Sequence, residues 1–234
     1  MPRPTVRTLV SPVFGAACHV LVAGRDAVVV DPGAGVTEAV VALVASDGLT
    51  VRAVLATHGH PDHTWDAGPL CEAFGVPFTL HEADASAGAD ASAVLDALSH
   101  ARAAAAGVGG ALRAAVEATG TGLYAPPHEV ASFSTPEGRA SLAYGAVRLD
   151  VLHAPGHTPG SVLYAADGVV LTGDVLFAGS VGRTDLPGGD PAAMARTLDA
   201  VVGGLDPALT VLPGHGPATT VGHELATNPF LRAR

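Results

Sequence analysis

The chain contains no lysine. All 12 of its basic residues are arginine, set against 22 aspartates and glutamates for a formal net charge of −10. Holding a nucleic-acid backbone calls for a basic stripe, and the sequence carries none, so a nucleic-acid partner is not expected. Cysteine is scarce as well. Cys18 and Cys71 make no disulfide framework and lack the paired spacing of a structural zinc site, which leaves both as small core residues. No stretch approaches the roughly 20 apolar residues of a membrane span, and the opening "MPRPTVRTLVSPVFG" has no apolar block of signal-peptide length. These absences point to a cytoplasmic protein with reduced thiols and no membrane partner. Missing lysine beside abundant alanine, glycine and valine also suggests a genome of high G+C content.

What is present suits a sizeable core. With 234 residues and 48% hydrophobic content, the chain fits one domain over residues 1–234. Apolar runs predict strands at Cys18 to Val22, Ala27 to Val30, Val51 to Ala56, Pro77 to Leu80, Val147 to Leu152, Ser161 to Ala165, Val169 to Leu171 and Thr210 to Leu212. Helices are expected at Val36 to Ser46, Thr64 to Phe74 and Pro191 to Val202. The strands before and after "AGRD" are too close for a crossover helix, so the sheets must be partly antiparallel. Residues 82–145 differ from the rest. Their alanine richness and helical spacing (Val94, Leu95, Leu98; Leu112, Ala115, Val116), interrupted by "GVGG" at 107–110, predict two helices in an insertion, forming an outer layer, a lid or a dimer surface.

The densest chemistry lies in "LATHGHPDHTWDAG", residues 55–68. His58, His60, Asp62 and His63 fall within six positions directly after an apolar run. By composition alone, an ordered H-x-H-x-D-H has a chance of about 0.0015 of occurring in this chain. On a helix, His58 and His60 would point about 200° apart, whereas on a loop leaving a strand they can converge. Pro61 then suits the first position of a helix that begins with Asp62 and His63. Imidazole and carboxylate together suit zinc or another borderline first-row ion. Three further polar residues follow apolar strands beside glycine: His157 in "LHAPGHTPGS", Asp174 in "VVLTGDVLF" and His215 in "TVLPGHGP".

In "THGHPDH", "PGHTPGS", "LTGD" and "LPGHG", with "VVVDPG" upstream, the sequence resembles the metallo-β-lactamase superfamily, and within it the short bacterial glyoxalase II-like hydrolases. The resemblance implies an α/β fold, an αββα sandwich of two mixed β-sheets with a metal groove at one edge. It places His58, His60 and His157 on one metal, Asp62, His63 and His215 on a second, and Asp174 between them as a bridge. Two divalent ions follow, zinc first, with iron or manganese compatible. Such a pair stabilises a bridging hydroxide as nucleophile at neutral pH, which Asp62 could orient. Asp31 is expected behind the ligands, holding the "THGH" loop. His19, His81, His100, His128, His153 and His223 match no ligand position, and His153 is expected beside the site.

The segment "FAGSVGRTDLPGGD" (177–190) resembles the loop with which this branch holds a thiol conjugate. Arg183 is the candidate to meet a substrate carboxylate, and an internal Arg183 to Asp185 pair is the competing reading. The helical, basic C-terminal domain of glyoxalase II proper is not found after His215, and no lysine is available to recognise glutathione. The expected activity is therefore hydrolysis of a small thioester of another thiol, such as mycothiol. The alternative is a persulfide dioxygenase using one iron on His58, His157 and Asp174. A β-lactamase and a non-enzymatic metal-binding protein are weaker alternatives. The oligomeric state stays open, a homo-oligomer included.

Overall fold

The computed structural model describes residues 4–13, 15–90, 93–94, 104–119 and 124–232. Six strands form the first sheet in spatial order: β1 (Thr5–Val10), β2 (Ala17–Ala23), β3 (Asp26–Val30), β4 (Thr50–Leu55), β5 (Phe78–His81) and β6 (Val130–Phe133). Its first two junctions are antiparallel and the last three parallel. The second sheet begins at its opposite edge with β7 (Arg139–Tyr144), β8 (Val147–His153), β9 (Val162–Ala166) and β10 (Val169–Gly173). A short hairpin of β11 (Leu176–Phe177) and β12 (Ser180–Val181) intervenes in the chain, and β13 (Thr210–Pro213) and β14 (Thr219–Thr220) complete the sheet. Only β10 and β13 pair in parallel. Both sheets are mixed, and the short "AGRD" connection joins β2 and β3 as an antiparallel pair.

The apolar runs are continuous because both faces of the central strands are covered. On β3, Val28 and Val30 face the second sheet, joining Leu21, Leu55, Leu149, Val151, Val162, Tyr164 and Leu171 in the core of the sandwich. Alternate residues Ala27 and Val29 face outward against α1 (Thr37–Ser46) and α3 (Ala67–Phe74), where Val36, Val40, Leu70 and Cys71 are buried. The outer face of the second sheet packs Leu163, Val170 and Val211 against Met194, Leu198 and Val202. This is the expected αββα sandwich. Cys18 and Cys71 are buried free thiols in the outer core of the first sheet.

Several elements depart from expectation. The helix predicted over Thr64 to Phe74 is two, α2 (Pro61–Thr64) and α3, parted at Trp65 and Asp66. Asp66 is drawn off to cap α1, accepting hydrogen bonds from the amides of Gly35, Val36 and Thr37 and from Thr37 Oγ1 at 2.8–3.0 Å. The predicted Pro191 to Val202 helix opens with α helix at Pro191–Arg196, capped by Asp190, then widens to π pitch over Thr197–Val201. Residues 82–145 are not wholly helical. Among the described residues they include the helices Ala85–Ala89 and Ala104–Thr119, but also β6 and β7, which close one edge of each sheet. The "GVGG" expected to separate two helices lies inside the second of them, where the intrinsic cost of glycine does not break it. Leu95 and Leu98 lie outside the described residues. Strand β1, missed in the sequence, is half exposed and has little apolar periodicity.

Candidate metal centre

Every sequence-predicted ligand sits just past a strand end, on one rim of the sandwich. His58 and His60 leave β4, His157 follows β8, Asp174 follows β10 and His215 follows β13. Pro61 takes the first turn of α2 after an extended His60 (φ −74°, ψ 145°), so the chain turns sharply and carries Asp62 and His63 back toward the preceding imidazoles. Donor atoms of His58, His60 and His157 lie within 4.8 Å of one another, as do those of Asp62, His63 and His215. Asp174 forms a third such group with His58 and His63. Its Oδ1 is 3.3 Å from His63 Nε2, and its Oδ2 is 3.6 Å from both His157 Nε2 and His215 Nε2. A carboxylate there reaches both triads.

The donor set fits divalent cations. His157 Nδ1 is 2.7 Å from the carbonyl of Arg183, to which it donates, so a neutral His157 turns the lone pair of Nε2 into the cluster. That Nε2 faces His60 Nδ1 at 2.8 Å, while His63 Nε2 faces His215 Nε2 at 3.3 Å. His58 Nε2 and Asp174 Oδ1 are buried with no hydrogen-bond partner among the described residues. Buried polar atoms left without a partner are costly, and a cation would satisfy both. Glycine makes room for this. A Cβ on Gly214 would collide with Asp174 Oδ1 and crowd His63 Cε1, and one on Gly182 would collide with the carbonyl of Asp174.

The electrostatics divide the cluster. Burial, reinforced by the neighbouring imidazoles of His63, His157 and His60, holds His58 well below its ordinary range. Burial and then His157 push His60 down to about 3. Both are neutral near pH 7 and ready to donate. His63 behaves oppositely: burial opposes its protonation, yet Asp174, Asp62 and Asp31 together raise it well above its usual value. His215 is likewise raised by Asp62 and Asp174 against burial. Burial favours protonation of Asp62 and Asp174, but His63 and its neighbours keep both below the usual carboxylate range.

Asp31 lies behind the histidine cluster. Its carboxylate accepts from Thr57 N at 2.6 Å and Thr57 Oγ1 at 2.8 Å, and Thr57 Oγ1 is 3.0 Å from His58 Nδ1. His63 Nδ1 is 3.2 Å from Asp31 Oδ2, close enough for attraction though not aligned as a hydrogen bond. Asp31 also adopts φ 58°, a left-handed conformation rare outside glycine that stores strain at the site. Arg183 pairs with Asp185 through Nε and Nη2 at 2.6 and 2.7 Å, the internal pair that competes with a substrate role. Its link to the cluster is its backbone carbonyl on His157. His153 is stacked on His81 with ring centroids 4.4 Å apart, and its Nε2 lies 2.9 Å from the carbonyl of Pro159. The sequence reading missed Asp84, whose signal was its place after strand β5, the same strand-then-loop position as the ligands. Beside His60, a groove of about 230 Å³ is lined by Ala83, Ala87, Val94, Thr158, Pro159 and Pro187, so the start of the 82–145 segment borders the site.

Two triads that could each hold a cation, with one carboxylate reaching both, on the rim of an αββα sandwich, fit a metallo-hydrolase class of protein. The chain belongs to the metallo-β-lactamase superfamily, whose domain matches residues 11–215. It is 39% identical to an uncharacterised protein of Mycobacterium leprae, over 92% of each chain. It is also 31% identical to the hydroxyacylglutathione hydrolase GloC of Haemophilus influenzae, over 90% of this chain and 89% of that one. Among solved structures, it resembles TTHA1623 in a di-iron-bound form (TM-score 0.76, 34% identity, 96% of this chain and 100% of that chain). No helix among the described residues is long and apolar enough to cross a membrane.

Proposed function

We propose that the protein hydrolyses a small thioester at a centre of two divalent cations, zinc in the first instance. One would be held by His58, His60 and His157, the other by Asp62, His63 and His215, with Asp174 shared. The observation that carries this reading is the convergence of all seven side chains into two triads joined by one carboxylate. When bound, two such ions supply Lewis acidity and an activated water near neutral pH. The chain supplies the rest. Asp62 can accept a hydrogen bond from the attacking water and orient it. His157 is fixed in one tautomer by the Arg183 carbonyl.

Arg183 commits two of its five donors to Asp185, and its side chain is 41% exposed, so the remaining donors can meet a carboxylate or carbonyl of the thiol portion. The lack of lysine supports a thiol other than glutathione, while the similarity to a hydroxyacylglutathione hydrolase supports glutathione itself. We favour the former. The test is metal analysis of purified protein, with hydrolysis of lactoylglutathione against its mycothiol counterpart and oxygen uptake on a persulfide. Two ions per chain with faster turnover of the mycothiol thioester is the expected result. A single iron with oxygen consumption would replace the hydrolase reading by the dioxygenase one.

A further inference from the structure

Behind the His58, His60 and His157 half lies a carboxylate on an element that carries none of the ligands. Asp84 ends the 3-10 turn Glu82–Asp84 after β5 and is 3% exposed. Its Oδ2 accepts from the Gly59 amide at 2.8 Å and from Thr158 Oγ1 at 2.6 Å, and its Oδ1 accepts from the Gly160 amide at 2.7 Å. Gly59 is the residue between His58 and His60, and Thr158 and Gly160 follow His157 in the loop after β8 of the second sheet. The approach is close enough to require glycine, since a Cβ on Gly160 would sit 2.5–2.7 Å from the Asp84 side chain. Thr158 is fixed in turn by Ser161, whose hydroxyl lies 2.8 Å from Thr158 Oγ1 and accepts from the Thr158 amide at 3.1 Å.

From this geometry we infer that Asp84 is the positioning residue of the three-histidine half, setting the separation of the two loops that bring His58, His60 and His157 together. The inference rests on the metal-centre reading above. Asp31 lies between the halves, bonded to Thr57 beside His58 and 3.2 Å from His63, whereas the hydrogen bonds of Asp84 run to the two loops that carry His58, His60 and His157. A carboxylate is required because it meets three donors with acceptors only. An asparagine in its place must turn its NH2 toward at least one of those donors.

The test is stepwise cobalt(II) titration of the full-length metal-free protein with a competing chelator, comparing wild type, Asp84→Asn and Thr158→Val, with the visible ligand-field spectrum recorded at each step. Loss of a partner behind a ligand costs about 10- to 100-fold in metal affinity. For Asp84→Asn, one equivalent should weaken by that factor with an altered spectrum, while the other equivalent keeps its wild-type affinity. Thr158→Val, which removes one of the three hydrogen bonds, should weaken the same equivalent by less, and it decides the matter if Asp84→Asn does not fold. Unchanged affinity for both equivalents in folded variants overturns the inference, as does equal weakening of both. If wild type takes up one ion only, the two-metal reading fails, and the Asp84 assignment then stands or falls on whether that ion is weakened.

Discussion

The two halves of the cluster are built from the same motif yet differ in kind. The half formed by His58, His60 and His157 is all imidazole and buried, and His58 and His60 are pushed toward the neutral form first by burial and then by imidazoles that face them, His63 and His157 at His58 and His157 at His60. The half formed by Asp62, His63 and His215 contains a carboxylate, opens toward solvent at His215, and has its histidines raised by Asp62 and Asp174. Adjacent residues can thus be set to opposite protonation states, because each imidazole responds to the charges that face it and not to its neighbours in sequence.

The most severe way to break this comparison is to remove what the halves share. Asp174→Asn takes away a charge that reaches both, and should cost at least one ion and more activity than the roughly 100-fold expected from losing a supporting partner. Two tightly held ions in a fully active Asp174→Asn protein would refute the bridge. Next comes Gly214→Ala, whose methyl group collides with Asp174 Oδ1 and crowds His63. Overpacking should cost about 1–3 kcal/mol of stability, read by denaturant unfolding, with weaker metal binding at the Asp62, His63 and His215 half.

The pH dependence sharpens the contrast. His63 and His215 hold their protons to a higher pH than usual in the metal-free protein, so a cation must displace them. Affinity at their half should rise with pH until their raised pKa values are passed, by up to roughly tenfold per unit for each proton released. His58 and His60 already lack protons near neutrality and add no such slope. Calorimetry in buffers of different ionisation enthalpy counts the released protons, and equal release at the two steps would contradict the division. The smallest effect is expected outside both halves. Because Arg183 is shared with Asp185 and exposed, Arg183→Ala should lower kcat/KM roughly tenfold with metal content unchanged.

Much of this was legible in the sequence for a physical reason. The central strands are covered on both faces, so their apolar runs stand out, and the ligands follow them at once: His58 after β4, Asp174 after β10 and His215 after β13. The elements that were misread are those whose local signal is weak or overridden. Strand β1 is half exposed, β6 and β7 are sheet edges lying in what reads as a helical insertion, and the glycines at 107–110 sit within a helix. Asp66 looked like part of one long helix and serves instead as the cap of another.

By itself, then, the sequence determined which residue types lie at which strand ends, and so which side chains are candidates to hold an ion. It could not determine distance. That Asp174 lies within 3.6 Å of histidines from three different loops, that proton affinity is raised at His63 and lowered at His58, that Arg183 turns to Asp185, and that Asp84 fastens the loops of His60 and His157 were decided only when two sheets packed face to face. Hydrogen bonds and charge interactions fall off over a few ångströms, and residues 76 or 97 positions apart reach that range only through the tertiary fold.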